Sequence, residues 1–168
     1  LEYPSGDRYF HLKDAFSMGV PLKTVQKLTG IDRWFLLQIQ RLVKLERELR
    51  RYSVTNIPKD FLFDLKQNGF SDRQIAHILK VEEDDVYNRR KELELERVYK
   101  MVDTCAGEFP SETPYFYSCY DNQNESIRSN KKKVLVLGSG PNRIGQGIEF
   151  DYCCVHGIQA LKECDYEA

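Results

Sequence analysis

The chain has 168 residues, and 41% of them are hydrophobic, which is enough to form a compact core. Its 25 basic and 26 acidic residues leave a net charge of −1, which excludes a global electrostatic attraction to nucleic acid or to an anionic membrane. No apolar run approaches the roughly 20 residues of a membrane-spanning helix, and the N-terminus has no signal-peptide pattern. Five cysteines without framework spacing favour a reducing compartment. We therefore expect a soluble, cytoplasmic protein that binds neither nucleic acid nor membrane.

The first hundred residues contain a degenerate repeat with an offset of 50 residues. When Gly19 is aligned with Gly69, apolar positions such as Leu12 and Leu62 coincide. Each copy predicts a helix stopped by a glycine, a short second helix, and a third helix that starts at an acidic residue. The predicted helices cover residues 7–18, 21–29, 32–51, 58–68, 71–80 and 82–92. The expected fold class is mainly α, with two degenerate helical repeats.

The long third helix carries apolar residues at three- and four-residue steps: Phe35, Ile39, Leu42, Leu45 and Leu49. Arginine, lysine and glutamate side chains alternate around the rest of this helix. The simplest interpretation is one stripe buried in the core of the helical domain. The alternative is an interface with another subunit or domain.

Segment 71–91 has the spacing of a helix-turn-helix. The start of its second helix would face the DNA bases, but these positions are acidic: Glu82, Glu83, Asp84 and Asp85. Because carboxylates repel phosphates, a helical hairpin that only shares the geometry is the preferred interpretation. A helix-turn-helix-like DNA-binding or adaptor module fused to a nucleotide-binding domain remains the alternative function.

Residues 98–120 are rich in aromatic side chains, and Pro110 and Pro114 interrupt them. This composition predicts an extended connector held by aromatic contacts, followed by a polar linker over residues 121–130. We therefore predict a helical domain over residues 1–104, an exit segment and linker over 105–130, and the start of an α/β domain over 131–168.

Residues 134–137 are four apolar residues that predict a buried parallel strand. A glycine-rich turn follows, with Gly138, Gly140, Gly145 and Gly147. Together they predict the first βα unit of an α/β domain, and we expect that domain to continue past the end of this chain. The turn meets neither the dinucleotide fingerprint nor the Walker A pattern.

Arg143 is a permanent cation within this turn, and the carboxylates of Glu149 and Asp151 follow it. This arrangement could guide or hold a small anion among the flexible backbone amides. The alternative is a tight structural turn in which Arg143 pairs with Glu149.

The remaining cysteine and histidine residues predict no catalytic or metal site. Cys153 and Cys154 are adjacent, so their side chains diverge, and with only His156 nearby they make a poor tetrahedral site. We expect both cysteines to be buried small residues. His11 and His77 are interpreted as packed or surface residues.

Residues 138–156 closely resemble the opening of the second synthetase half of the carbamoyl-phosphate synthetase large subunit. Upstream, residues 29–39, 102–109 and 113–118 resemble the helical oligomerisation domain of that family and its exit segment. The resemblance covers almost the whole chain. At one position, Ser139 stands where bacterial relatives often have glycine.

The resemblance implies a role for the chain as one segment of a larger enzyme. In this family two homologous halves with ATP-grasp modules make carbamoyl phosphate from bicarbonate, ammonia and two ATP, for arginine or pyrimidine synthesis. ATP with Mg or Mn, and potassium, are the implied cofactors of the parent, and a glutamine amidotransferase is its implied partner. This segment would join the halves and self-associate, with no catalytic residue, metal or cofactor of its own. Arg143 and Glu149 match residues that line the tunnel for carbamate.

Overall fold

The computed structural model describes residues 1–110, 115–138 and 147–168, with side chains from Tyr152 onward in the last range. The chain divides into two compact units, Leu1–Ser126 and Ile127–Ala168. The helices described in the first unit are α1 (Arg8–Ser17), α2 (Leu22–Thr29), α3 (Arg33–Leu49), α4 (Lys59–Gln67), α5 (Asp72–Leu79) and α6 (Glu83–Glu92). The predicted mainly helical fold is confirmed.

The helices begin where the sequence supplies caps or prolines. The Asp32 side chain accepts a hydrogen bond from the Trp34 backbone N–H at 2.8 Å and starts α3. Ser71 Oγ accepts one from the Gln74 N–H at 3.0 Å and starts α5. Pro21 and Pro58 occupy the N-cap positions of α2 and α4 in extended backbone conformations. These local signals explain why the predicted helix ends agree with the structure to within two residues.

The repeat with an offset of 50 is visible in the backbone. Gly19 and Gly69 follow α1 and α4 with φ angles of 84° and 87°, a region that glycine adopts without strain. After each glycine the chain turns back in the same way, because Val20 N–H donates to Ala15 O and Phe70 N–H donates to Leu65 O. The two repeats therefore share their turn geometry as well as their apolar spacing.

The first unit has two hydrophobic cores, and α3 contributes to both. Leu36 and Val43 belong to the core of the first repeat. Leu45 and Leu49, farther along the same helix, belong to the core of the second repeat. Because one rigid helix supplies side chains to both cores, α3 holds the two repeats together.

The predicted buried stripe of α3 is wrong at two positions. Phe35 is 58% exposed and Leu42 is 40% exposed, whereas Leu45 and Leu49 are buried. The core side of the first half of α3 is occupied by the neighbouring residues Leu36 and Val43. The apolar face of α3 is thus wider than one core can cover, and its uncovered part is available to a partner.

The aromatic connector forms a hairpin of β1 (Val98–Met101) and β2 (Phe116–Cys119). The strands are antiparallel, with Val98 opposite Cys119 and Met101 opposite Phe116. The composition predicts an extended segment here but does not predict this pairing. The two strands are separated by a long connection, so the sequence has no short turn motif from which a hairpin could be predicted.

The segment after β2 covers the other edge of β1. Asn124 Oδ1 accepts from the Tyr99 N–H at 3.0 Å, and Glu125 Oε2 accepts from the Met101 N–H at 2.7 Å. The Glu125 N–H in turn donates to Tyr99 O at 2.8 Å. Residues up to 125 are therefore held against the first unit and leave β1 no open edge at these positions.

The described part of the second unit consists of α7 (Gly147–Glu163) and extended segments on either side. A parallel bridge pairs Lys133 with Glu167. The expected buried strand at residues 134–137 is not buried, since Leu135 and Leu137 are exposed. Among the described residues no further strand lies beside this segment, so its apolar side chains stay uncovered.

Candidate functional site

The predicted loop and tunnel residues are described only in part. Three of them lie outside the described residues: Gly140, Arg143 and Gly145. Gly138 is an exposed residue after the extended segment, and Gly147 is the first residue of α7. Glu149 lies in α7, and its side chain is outside the described part. The anion-guiding loop therefore stays a prediction.

The cysteine and histidine side chains on α7 differ in their surroundings. The rings of Tyr152 and His156 are in contact, with centroids 4.2 Å apart and an interplanar angle of 55°. Cys154 is half-buried, but Cys153 is exposed, so the prediction that both are buried is wrong. The reason is that the described second unit contains one helix beside extended chain, too little to cover both sides of α7. Within the described ranges, no group of three metal-ligating side chains is close enough to hold a metal.

Helices α5 and α6 have acidic residues where a helix-turn-helix would meet DNA. The first turn of α6 exposes three carboxylates, from Glu83, Asp84 and Asp85. Of the arginines near its end, Arg90 is buried and Arg89 pairs with Glu92 at 3.1 Å. A helix that presents acidic residues first would repel the phosphates on both sides of a major groove.

An apolar groove lies between α1 and α3 and encloses about 410 Å³. Tyr9 and Phe10 of α1 line it opposite Ile39 and Leu42 of α3, and residues 68–70, which follow α4, also contribute to its lining. Phe35 lies one helical turn before Ile39 on the same side of α3. We call these five residues the aromatic face. Four of the five are exposed apolar residues, which marks a surface for contact with another protein.

The charges that line the groove neutralise one another. Lys13 Nζ lies 2.9 Å from the Glu46 carboxylate, and Arg50 lies 2.7 Å from its other oxygen. Burial acts to raise the pKa of Glu46, but the hydrogen bonds and charges of Lys13 and Arg50 outweigh it and lower the pKa below its ordinary value. Glu46 thus stays ionised and paired, and the groove favours an apolar occupant over a free anion.

A second feature is a buried ionic cluster of Lys66, Asp72 and Arg90. Arg90 donates to Asp72 through Nε at 3.0 Å and through Nη2 at 2.7 Å, while Lys66 Nζ donates to Asp72 Oδ1 at 2.9 Å. The three side chains are only 5 to 12% exposed. Burial acts to raise the pKa of Asp72, but the hydrogen bonds from Arg90 and Lys66 prevail and lower it. Asp72 therefore remains a carboxylate at neutral pH.

The ionic cluster also contacts the segment that leaves the helical unit. Lys66 Nζ lies 5.3 Å and Arg90 Cζ 5.9 Å from the ring centroid of Tyr120, within the range of cation–π attraction. Gln67 Nε2 donates to the Tyr120 backbone oxygen at 3.1 Å. This cluster was not predicted from the sequence. The repeat contains a signal for it: with the offset of 50, the charged residues Lys66 and Asp72 align with the apolar residues Phe16 and Leu22, which indicates charges at core positions.

Comparison with known families gives two matches in chain order. The family described as carbamoyl-phosphate synthetase large chain, oligomerisation domain, matches residues 1–94. The family described as carbamoyl phosphate synthase preATP-grasp domain matches residues 130–168. The first match contains both helical repeats and the whole aromatic face, and the second begins just before the extended segment of the second unit.

Similar proteins are named carbamoyl phosphate synthase large chain. The chain is 48% identical over 171 residues to the protein of Archaeoglobus fulgidus, with 99% of this chain and 16% of that protein covered. It is 47% identical to the protein of a Nostoc species and 46% identical to that of Vibrio vulnificus, each over 167 residues; 99% of this chain is covered, and 15% and 16% of those proteins respectively. The chain thus spans about a sixth of the length of these relatives. In the part of the chain that the structure describes, no helix is long and apolar enough to cross a membrane.

Proposed function

Because this chain belongs to the carbamoyl-phosphate synthetase large-chain family, we propose that it joins the two synthetase halves of a large subunit and carries a surface for self-association. The observation that carries this proposal is the order of the two family matches. An oligomerisation domain over residues 1–94 is followed in the same chain by a preATP-grasp domain from residue 130. A helical domain that leads directly into an α/β module is suited to linking.

We propose that the parent is an ATP-dependent carbon–nitrogen ligase that makes carbamoyl phosphate from bicarbonate, glutamine-derived ammonia and two ATP. A glutamine amidotransferase subunit or domain would supply the ammonia, and the enzyme would work in the cytoplasm, in keeping with its five free cysteines. ATP, with its Mg or Mn ion, and potassium would bind outside this segment. The segment alone would not be catalytic.

We propose that Arg143 and Glu149 line a passage for carbamate and make no bond with it. Glu149 lies near the start of α7 and follows Arg143 by six residues in the sequence. A guanidinium is always charged at neutral pH and attracts a small anion, while a carboxylate nearby keeps that attraction weak enough for release.

The partner that suits the aromatic face is a second copy of the chain. The matching family is described by its oligomerisation, and the residues matched include all five members of the face. Fully burying an exposed Phe or Leu side chain contributes about 1.5–3 kcal/mol, so mutual burial of two such faces would favour association. The paired charges of Lys13 and Glu46 allow the groove to be covered without leaving an isolated ion.

Activity measurements on the full-length protein and on residues 1–168 test the proposed ligase function. We expect the full-length protein to form carbamoyl phosphate from bicarbonate, ammonia and ATP, and the 168-residue chain to form none. Absence of this product from the folded full-length protein would overturn the ligase assignment. Product formation by the short chain would overturn the assignment of catalysis to other modules.

Variants of Arg143 test the passage. In the full-length protein, Arg143→Ala should lower the carbamoyl phosphate formed per ATP consumed, because carbamate that escapes decomposes. The matched control is Arg128→Ala, which removes an exposed arginine from the linker region. Equal yields per ATP in both variants and the wild type would contradict a role for Arg143 in passage.

A further inference from the structure

The ionic cluster occupies a corner of the second repeat that is apolar in the first. With the offset of 50, Lys66 aligns with Phe16, which is buried in the core of the first repeat, and Asp72 aligns with Leu22, which packs against that core. The first repeat shows that this arrangement of helices packs with apolar side chains at these positions. Its fold therefore does not require ions there.

The cluster carries one more positive than negative charge in a place that water hardly reaches. Arg90 and Lys66 are 5% and 7% exposed, and Asp72 is their one carboxylate partner among the described hydrogen bonds. Apolar replacement of buried ions is often neutral or stabilising, so stability alone does not account for the cluster.

Two tyrosine rings lie beside these cations. Arg90 Cζ lies 5.4 Å from the ring centroid of Tyr87 on its own helix, whereas the ring of Tyr120 lies near both Arg90 and Lys66. Lys66 and Arg90 both lie within 6 Å of the centroid of this ring, and Gln67 binds the Tyr120 backbone oxygen. The quadrupole of a phenol ring attracts cations, and the attraction strengthens when water is excluded. Tyr120 lies 30 residues beyond Arg90, directly after β2. The cluster thus binds a segment that leads out of the helical unit.

We propose that Lys66, Asp72 and Arg90 form an anchor for Tyr120 that fixes where the chain leaves the helical unit and so positions the synthetase half that follows. This inference rests on the proposed linking function. The anchor works together with Asn124 and Glu125, which are bonded to β1 five residues or fewer after Tyr120. The first compact unit ends immediately afterwards, at Ser126.

The anchor has a definite physical consequence for the exit. A linker that is free from residue 105 onward would let the following module sample a wide range of positions, because each added flexible residue increases its reach. With Tyr120 and Glu125 held, the flexible part can begin only after Ser126. The anchor thereby limits the freedom of the next module through a contact that touches neither substrate nor ATP.

The test replaces the cluster with the residues of the first repeat in the full-length protein, as the triple variant K66F/D72L/R90Q. Hydrogen exchange is followed at the Glu125 amide, which donates to Tyr99 O, and at core amides of α4 and α5. We expect exchange at Glu125 to accelerate roughly tenfold while the helix cores stay protected. Unchanged exchange at Glu125 would overturn the anchor.

A second pair of variants keeps the test decisive if the triple variant does not fold. Tyr120→Leu removes the ring, and Tyr120→Phe keeps it, so the first should accelerate exchange at Glu125 and the second should not. Tyr117→Leu, an exposed tyrosine on β2, is the matched control. Equal exchange in the Leu and Phe variants of Tyr120 would overturn the anchor.

The positioning role has its own readout in the folded, active protein. Tyr120→Leu should increase the ATP consumed per carbamoyl phosphate formed at least twofold relative to Tyr120→Phe. A simple loss of folded enzyme would lower the ATP consumed and the carbamoyl phosphate formed together and leave their ratio unchanged. An unchanged ratio, with faster exchange at Glu125, would overturn positioning. If the wild-type protein makes no carbamoyl phosphate, the proposed function is wrong. The hydrogen-exchange measurement still tests whether the ionic cluster anchors Tyr120.

Discussion

Arg90 and Asp72, which are 18 residues apart in the sequence, form a bidentate ion pair. Arg90 Nε lies 3.0 Å from both carboxylate oxygens, and Nη2 lies 2.7 Å from Oδ2. Both side chains are almost buried, and Arg90 Nη1 also donates to Leu95 O at 3.0 Å. The pair joins the start of α5 to the end of α6. Its removal should therefore affect the whole second repeat.

Asp72→Asn should destabilise the chain by about 3–5 kcal/mol at pH 7, because it leaves two buried cations without their carboxylate. The pKa of Asp72 is lowered in the folded state, so its stabilisation is present above the unfolded pKa of about 3.9 and is lost as pH falls through the folded pKa. The difference in unfolding free energy between wild type and variant should shrink below pH 3.9. Urea unfolding across a pH series measures it.

Glu92→Gln is the control for this prediction, since it removes one partner of an exposed pair with Arg89. Exposed ion pairs contribute at most about 1 kcal/mol, so the free energy of unfolding of this variant should stay close to that of the wild type at every pH. If Asp72→Asn lowered the free energy of unfolding as little as Glu92→Gln does, the importance of burial in the ionic cluster would be contradicted.

Lys80→Gly should stabilise the chain by about 1 kcal/mol. Lys80 ends α5 with φ 59°, in the left-handed region where Gly30 ends α2 with φ 68°. A side chain is strained in that region and glycine is not, and this gain exceeds the greater freedom that glycine has in the unfolded chain. Thermal or urea unfolding would measure the change.

Lys80→Ala is the matched control, because alanine keeps the strain while it removes the same charge and side chain. We expect it to remain within about 0.5 kcal/mol of the wild type, as exposed substitutions usually do. Equal stabilisation by both substitutions would show that the lysine side chain, and not the φ angle, is responsible.

The sequence predicts the helices well because local chemistry determines where they start and stop. Gly19 and Gly69 adopt positive φ angles after α1 and α4, and Asp32 and Ser71 accept hydrogen bonds from their own helices. These signals act over a few residues and do not depend on the tertiary structure. The same kinds of signal recur in the second copy of the repeat.

Tertiary relationships were harder to predict. Helical spacing placed Phe35 and Leu42 in the core, because spacing shows which residues share a face and not what covers that face. The burial of Arg90 depends on Asp72 and Tyr120, which are distant in sequence. The roles of Arg143 and Glu149 remain predictions, since neither side chain belongs to the described residues.

The chain should not bind duplex DNA, although α5 and α6 resemble a helix-turn-helix. The exposed carboxylates of Glu83, Asp84 and Asp85 face the side from which a groove would be entered. In an electrophoretic gel-shift assay at about 150 mM salt we expect no complex tighter than the roughly 10⁻⁴–10⁻⁶ M of nonspecific binding. Nanomolar binding that weakens steeply with salt would restore the alternative function.

Phe35→Glu should weaken self-association of the chain by tenfold or more, because a charge in the aromatic face must lose its water on contact. Phe35 is exposed, so the fold should tolerate the substitution. Met18→Glu is the control: Met18 is also an exposed apolar residue, but it is not one of the five residues of the aromatic face. A similar loss of association in both variants would point to net charge and not to the aromatic face.

The most direct measurement is the solution mass of the 168-residue chain by light scattering over a concentration series. A monomer has a mass of 19.7 kDa, and we predict a rise with concentration to at least twice this mass for the wild type and for Met18→Glu. Phe35→Glu should remain at the monomer mass over the same range. A wild-type chain that stays at 19.7 kDa at every concentration would contradict the claim that this helical unit associates through its aromatic face.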